Sequence, residues 1–473
     1  MPKASDGRYV AAMLVWTNPL PFALDAENLW LGLQLLAGLF VIIRVVRARV
    51  TLSYALLWGP AVLFFPLITA TVIFLFGGRK HSALAKVKQR IKAAARRLAG
   101  PVTSAGNSFR MLGDRHGHDT LEALHTEILA ARHRIHISTY ILSPDAVGRE
   151  IRSLLVRRAR EGVEVRVLVD AVGSWGTPLR LGRTLVKAGG QVARFNPVLP
   201  MQGKGSANWR NHRKIAVFDG QVAIIGGQNI GLAYMGREPS NRRFRDCSFR
   251  LAGPAAAALE QVFIADWCQA TDADPATFAE LLRNQPEHQG EVDVEVIASG
   301  PDCVNDPLWE KYVALIENAR ASITIVTPYF VPDKALFRLL VAAAAKGRRV
   351  RVLVPRRSDH RLLDFARRWY LRQLKEAGAE ILFFKPDVLH AKLFIADDES
   401  LIIGSANLDM RSLFLNYEIA AVVRDAAALT AVQSFVASLE AESSPYSEDL
   451  YRRSRTWRGR MLEAISKTLA PLL

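Results

Sequence analysis

From about residue 108 onward the chain reads as one α/β pattern written twice, and this duplication restricts the fold more than any other feature. His133–Leu142 (HRIHISTYIL) has its counterpart in Ala321–Phe330 (ASITIVTPYF), each a strand following an amphipathic helix. Gly162–Asp170 (GVEVRVLVD) matches Gly347–Pro355 (GRRVRVLVP), a second strand opened by a glycine that stops the preceding helix. Leu185–Pro197 (LVKAGGQVARFNP) matches Leu374–Pro386 (LKEAGAEILFFKP): a helix end, a glycine stop and a third strand. The order strand–helix–strand–helix–strand predicts an α/β fold, with a mixed or parallel sheet in each repeat and helices on both faces.

Each repeat then runs into the same polar signature. NHRKIAVFDGQVAIIGGQN carries His212, Lys214, Asp219, Gly226, Gly227 and Asn229; LHAKLFIADDESLIIGSAN carries His390, Lys392, Asp397, Gly404, Ser405 and Asn407. Both read His-x-Lys-x4-Asp-x6-Gly, then Gly or Ser, one variable residue and Asn, without a gap. One copy alone would be a weak signal. Two copies with matching tails, each after the third repeated strand, are not accounted for by generic α/β similarity.

The spacing suits phosphoryl chemistry. On an extended strand residues i and i+2 share a face, so each motif projects an imidazole and an ammonium together, while Ile215, Val217, Leu393 and Ile395 point into the layer behind. If the repeats pack about a pseudo-twofold axis, both pairs converge on one pocket with two lysines and two asparagines. Such a pocket holds a phosphodiester by charge and hydrogen bonds, with an imidazole on either side of phosphorus. One neutral ring can attack; the opposite imidazolium can protonate the departing alkoxide. The lysines neutralise the phosphate charge, so no metal and no cofactor is expected. Asp246 and Glu418, each shortly after its motif and before an apolar run, are candidates to orient the rings; the sequence leaves open which histidine each serves. Asp219 and Asp397 fall at the far ends of their strands, a position suited to tying down a turn.

The first 80 positions have a different character. Leu29–Ile43 is free of charge, with Val45 and Val46 extending it past Arg44, and Leu52–Phe76 is a second charge-free run of 25 residues. That length spans a bilayer core of about 30 Å. The mean hydropathy of +0.09 is high for a soluble enzyme. Basic clusters follow both runs, so two full spans would put them on opposite faces. Either the second run, interrupted by Gly59-Pro60 and Pro66, is re-entrant or kinked, or the larger cluster after it prevails and a basic hairpin tip lies outside. Both put the remaining chain in the cytoplasm. The expected order is a membrane-embedded region at 1–80, with hydrophobic segments near 29–46 and 52–76, and a basic linker helix at 81–107. The repeats follow at 108–285 and 286–473. Lys and Arg number 62 against 45 Asp and Glu, a net charge of +17, which predicts an anionic partner. Much of the surplus sits beside the hydrophobic runs, where anionic lipid headgroups explain it, and no nucleic-acid partner is expected. Three cysteines, Cys247, Cys268 and Cys303, form no CxxC pair, which argues for a reducing compartment and against structural zinc.

The paired motifs resemble those of the phospholipase D superfamily. The hydrophobic N-terminal runs, TPYFVPD, NRRFRD before LAGPAAAALEQVFIADW, and GSANLDMRSLFLNYE narrow the resemblance to the bacterial cardiolipin synthases, from about residue 30 to the C-terminal APLL. It implies two tandem phospholipase D-like repeats behind N-terminal membrane helices, in the bacterial inner (cytoplasmic) membrane. It also implies transfer of a phosphatidyl group from one phosphatidylglycerol to another, through a phosphatidyl-histidine, with release of glycerol. The catalytic set would be His212, Lys214, Asp219, His390, Lys392 and Asp397, with the nucleophile placed at His212. Lys214, Lys392, Asn229, Asn407 and Ser405 would hold phosphate. The first motif departs from the second in having Gly227 where Ser405 stands. Two other readings use the same residues: a phospholipase D hydrolase with water as acceptor, and a membrane-tethered nuclease. His116 and His118 (HGHD) read as a solvated loop rather than a metal site. Trp457–Leu472 has apolar residues at helical spacing, suited either to a membrane interface or to docking on the domain. Val198–Asn211, longer than its counterpart, is a candidate lip over the lipid entrance or a surface insertion.

Overall fold

The computed structural model describes residues 26–47, 64–76, 105–175, 179–197, 208–283, 286–386, 388–447 and 456–469. The chain divides into two compact units, Met1–Gly78 and Arg79–Leu473. Residues 81–104 of the expected basic linker helix, residues 52–63 of the second hydrophobic run and residues 198–207 of the insertion lie outside the described residues.

In the first unit, helix Ala26–Arg47 packs against helix Pro66–Phe76, whose first residue needs no intrahelical N–H partner. Ala37, Val41 and Thr69 are buried, whereas Leu29, Trp30, Leu35, Leu36, Leu39 and Ile42 are each at least half exposed. Among the described residues no helix is long and apolar enough to cross a membrane.

The second unit holds two large sheets. The first comprises β1 (Ser108–Leu112), β2 (Arg134–Thr139), β3 (Glu164–Asp170), β4 (Gln191–Phe195), β5 (Ile215–Phe218), β6 (Val222–Gly226) and β7 (Ser248–Ala252). The second is built from β8 (Asp293–Ser299), β9 (Ser322–Val326), β11 (Arg349–Pro355), β12 (Glu380–Phe384), β13 (Leu393–Ala396), β14 (Ser400–Gly404), β16 (Glu418–Arg424) and β17 (Ser443–Pro445). Within the second repeat, β10 (Phe330–Val331) and β15 (Leu408–Asp409) form a small parallel pair. The strand orders are β1-β7-β6-β5-β2-β3-β4 and, read from the matching end, β8-β16-β14-β13-β9-β11-β12-β17. The duplication written in the sequence is therefore a duplication of topology, strand for strand, with β17 added at one edge. In both sheets the three strands read from the repeats are parallel, and the motif strand joins them antiparallel, so the sheets are mixed.

Both motif strands turn back through a tight hairpin. Asp219-Gly220 and Asp397-Asp398 have φ of 53°, 69°, 53° and 55°, and Gln221 N and Glu399 N close the turns on Phe218 O and Ala396 O. Paired left-handed residues are what a two-residue hairpin needs to follow the sheet twist, and Asp and Gly tolerate that region.

The expectation of helices on both faces holds in full only for the outer faces. Helices His118–Ala130 and Ala146–Arg160 cover one sheet, and helices Pro307–Asn318, Lys334–Ala345 and Arg361–Glu376 cover the other. On the inner faces helices Pro254–Thr271 and Ala426–Ala441 cover part, and elsewhere the sheets share one core. There Ile215, Val217, Ile225 and Phe249 join Leu393, Ile395, Ile403 and Ile419. Strands apolar on both faces permit this, because either a helix or a second sheet can bury the inner one. Ile403, at 0% exposure, sits in that shared core. Ile403→Ala is expected to destabilise the chain by about 2–5 kcal/mol. Denaturant unfolding followed by tryptophan fluorescence should show both repeats lost in one transition.

Candidate active site

The two motifs meet because each histidine segment pairs with the other repeat. Asn211 bridges to Tyr417 and Arg245 bridges to Leu389, both in parallel. His212 N donates to Tyr417 O at 2.9 Å, and His390 N donates to Arg245 O at 2.8 Å. Each bridge puts a histidine and a carboxylate one residue further along, on adjacent backbones. The result is an exchange: His212 Nδ1 lies 3.0 Å from Glu418, and His390 Nδ1 lies 2.6 Å from Asp246. Each motif histidine takes its carboxylate from the opposite repeat, which settles the pairing that the sequence left open. An Nδ1–H donated to a carboxylate leaves the lone pair on Nε2, the tautomer that an attacking or proton-accepting imidazole needs.

The lysines follow the same symmetry. Lys214 Nζ donates to His212 O at 2.8 Å, and Lys392 Nζ donates to His390 O while standing 2.7 Å from His390 Nδ1 and 3.8 Å from Asp246. All four basic groups are buried or nearly so, and burial sets their proton affinities. It pulls His212 down, and together with Lys392 it pulls His390 down to about 4. It lowers Lys392 and takes Lys214 to about 7, with the nearby Lys392 adding to the effect on Lys214. Burial works against the Glu418 carboxylate, yet His212, Lys214 and the Ser405 hydroxyl hold it below its ordinary range. The site is thus a desolvated cluster of weakened bases, an arrangement suited to an anion.

The asymmetry between Gly227 and Ser405 has a steric cause. Ser405 Oγ donates to Glu418 at 2.5 Å. At the matching position a Cβ on residue 227 would stand 2.2 Å from Asp246 Oδ1, in the space the carboxylate occupies. The shorter acid lies over the backbone and takes the Cys247 N–H at 2.8 Å in place of a serine hydroxyl. The asparagines lie beside the pocket with part of their capacity committed. Asn229 Oδ1 accepts from Ile141 N at 3.2 Å and its side chain also bonds Tyr234, while Asn407 bonds Asp409.

Asp219 and Asp397 are not brought into this cluster. Asp219 accepts from the backbone N–H groups of Arg132, His133 and Arg134 at 2.7–2.8 Å. Asp397 does the same for Arg320, Ala321 and Ser322 at 2.5–2.8 Å. Each ties the start of its repeat's first parallel strand to the hairpin beyond the motif strand. Among the interactions of the described residues, His116 and His118 make no contact with the motif side chains: His116 Nδ1 is 3.4 Å from Ser240 N, and His118 is half exposed.

Several site residues were missed at the level of sequence. Arg213, between His212 and Lys214, is 1% exposed and crosses to the second repeat. It grips Asp266 at 2.5–2.7 Å and donates to the backbone oxygens of Glu418 and Ser299 at 3.0 Å, fixing the carboxylate that serves His212. Tyr140 meets the His212 ring edge-on at 5.2 Å, and Tyr234 and Phe244 flank His390 at 5.6 and 5.4 Å. Tyr140 falls opposite Pro328 when the repeats are aligned, one place before the position of Tyr329, so the duplication does not mark it.

The fold and this paired centre define a phospholipase D-like protein. The family model described as cardiolipin synthase, PLD-like domain, matches residues 124–267 and 312–440. A cardiolipin synthase of Halalkalibacterium halodurans is 36% identical over 82% of this chain and 76% of its own length. Cardiolipin synthase A of Pseudomonas aeruginosa is 31% identical over 94% and 96%. The chain belongs to the cardiolipin synthase family. The solved phosphatidylserine synthase of Haemophilus influenzae shares the fold, with a TM-score of 0.57 at 15% identity, covering 81% of this chain and 98% of that one.

Two measurements check this geometry. Asp219→Ala should cost about 2 kcal/mol of stability, for loss of the carboxylate that accepts from a run of backbone N–H groups, with activity per folded molecule within about twofold of the parent. Thermal melting and activity normalised to folded protein separate the two effects. Binding of dimethyl phosphate, whose charge is constant between about pH 5 and 9, should weaken as pH rises through about 7, where Lys214 loses its proton. The sign follows from the anion favouring the ammonium form. Above that point Kd should grow about tenfold per pH unit, and binding at about pH 8 should take up a proton from buffer.

Proposed function

We propose that this chain is a membrane-embedded cardiolipin synthase that transfers a phosphatidyl group from one phosphatidylglycerol to another. The observation that carries the mechanism is the crossed pair His212–Glu418 and His390–Asp246. Both rings present Nε2 to the pocket. The anionic diester, drawn in by Lys214 and Lys392 with Asn229, Asn407 and Ser405 around it, raises the affinity of the opposite ring for a proton. His212 Nε2 attacks phosphorus, the bond to the leaving glycerol breaks, and His390 gives that glycerol its proton. A hydroxyl of a second phosphatidylglycerol then attacks the phosphatidyl-histidine as His390 takes its proton back. Cardiolipin forms and His212 is regenerated, so two phosphatidylglycerols yield one cardiolipin and one glycerol. Asp219 and Asp397 act by holding the motif strands, and the two repeats, read as 108–285 and 286–473, contribute one ring each.

The membrane reading is supported by the apolar side chains that helix Ala26–Arg47 turns outward and by Phe64 and Phe65 before the second helix and Ile68 within it, at 61–71% exposure. In water such a surface is costly; hydrocarbon removes the cost. The region 1–80 would hold the catalytic repeats at the cytoplasmic face of the cytoplasmic membrane. There lipid acceptors are concentrated and water is scarce.

The experiment is a trapping measurement. With labelled phosphatidylglycerol and acid-free quenching, mass spectrometry is expected to find the phosphatidyl adduct on His212. His212→Ala and His390→Ala should each leave less than about a hundredth of the transfer rate with folding intact. An adduct on His390 would reverse the roles. Robust turnover in either variant would refute the shared site.

A further inference from the structure

A second cavity, of about 460 Å³, opens where β11 ends and helix Arg361–Glu376 begins. Its wall carries five arginines, Arg356, Arg357, Arg361, Arg367 and Arg368, against one acid, Asp364. That acid is already engaged: it lies 2.8 Å from Arg367 and accepts from Ser358 N at 3.0 Å. Among the described residues Arg356, Arg357 and Arg361 make no ion pair. Uncompensated guanidinium groups gathered around a concave surface are costly through mutual repulsion unless an anion sits among them. The guanidinium fork matches the oxygens of a phosphate.

The surroundings indicate which kind of phosphate. Leu362, next to Arg361, is 43% exposed. Helix Trp457–Leu469 packs on helix Arg361–Glu376 through Arg372 and Glu463 at 2.7 Å, with Ser466 buried. It leaves Met461, Leu462 and Ile465 outward at 40–48% exposure. Those positions recur at helical spacing along one face. The C-terminal helix therefore docks on the domain, the second of the two roles weighed for it in the sequence, and leaves apolar side chains outward. An arginine-lined cavity on the same helix pair as an exposed apolar face is complementary to an amphiphile, with phosphate in the cavity and chains along the stripe. The loop between β11 and the helix also faces the centre: Tyr329 donates to Asp359 at 2.6 Å, and its ring meets His360 at 5.4 Å.

We infer that the Arg356–Arg368 cavity is a second binding site for the phosphate headgroup of an anionic phospholipid, separate from the His/Lys centre. It relies on the transferase reading only for the choice of phosphatidylglycerol as probe. The test uses full-length His390→Ala protein in neutral detergent, so that no turnover occurs, and equilibrium dialysis of labelled dihexanoylphosphatidylglycerol. Two classes of site per chain are expected. Adding Arg356→Gln, Arg357→Gln and Arg361→Gln together should remove one class or weaken it at least about tenfold, as loss of charge-assisted contacts requires. Dihexanoylphosphatidylcholine should compete for that class poorly. Arg361→Gln alone, at an exposed position, gives a smaller shift in the same direction and guards against a folding defect in the triple variant. Identical binding with and without the arginines overturns the site. Displacement from that class by inorganic phosphate as effectively as by the lipid overturns the lipid assignment. Absence of cardiolipin formation by the unaltered enzyme would instead count against the transferase reading alone, since dialysis does not depend on turnover.

Discussion

The backbone bridge that brings Asn211 beside Tyr417, and its mirror between Arg245 and Leu389, is the constraint on which the rest of the site depends. One residue beyond each bridge stands a histidine facing a carboxylate from the other repeat. Hydrogen bonds of main chain to main chain are hard to displace and leave little freedom of register, so ring, acid and lysine are held by the fold rather than by their own contacts. Arg213 extends the same logic to side chains. Its guanidinium joins Asp266 to the backbone of Glu418 in the interior, where breaking the pair would strand a charge.

Burial around this frame accounts for the chemistry as well as the stability. Lysines and imidazoles gathered in a desolvated pocket lose affinity for protons. A diester entering there recovers part of the electrostatic cost of collecting those groups, so binding and protonation are linked. The same burial excludes water from the histidine that would carry the phosphatidyl group, and an acceptor approaching from a membrane meets less competition.

The sequence conveyed the repeats well because a parallel α/β unit repeats its glycine stops and apolar runs, and Gly162 and Gly347 or Gly189 and Gly378 mark the same helix ends. It conveyed the histidines and lysines because a polar motif at fixed spacing, written twice at matching places, rarely arises by chance. It could not convey the exchange of carboxylates, since Glu418 and His212 are distant in sequence and come together only across the shared core. Arg213 was hidden by its neighbours: an arginine beside two basic motif residues reads as more surface charge until burial and Asp266 are known. The inner faces of the sheets misled in part, because continuous apolar strands state that a face is buried without stating whether a helix or another sheet covers it.

The glycine at 227 and the serine at 405 now have a wider meaning. A chain with a single repeat could complete this centre only by association with a second identical copy, and a symmetric pair must carry the same residue at both positions. Joining the two copies in one polypeptide lifts that restriction. One half can then shorten its acid to Asp246 and clear the space with glycine, while the other keeps Glu418 braced by a hydroxyl. Covalent linkage thus converts an enforced equality into two independently adjustable environments, and a reaction whose two histidines must do opposite things at the same instant is the kind that gains from the difference.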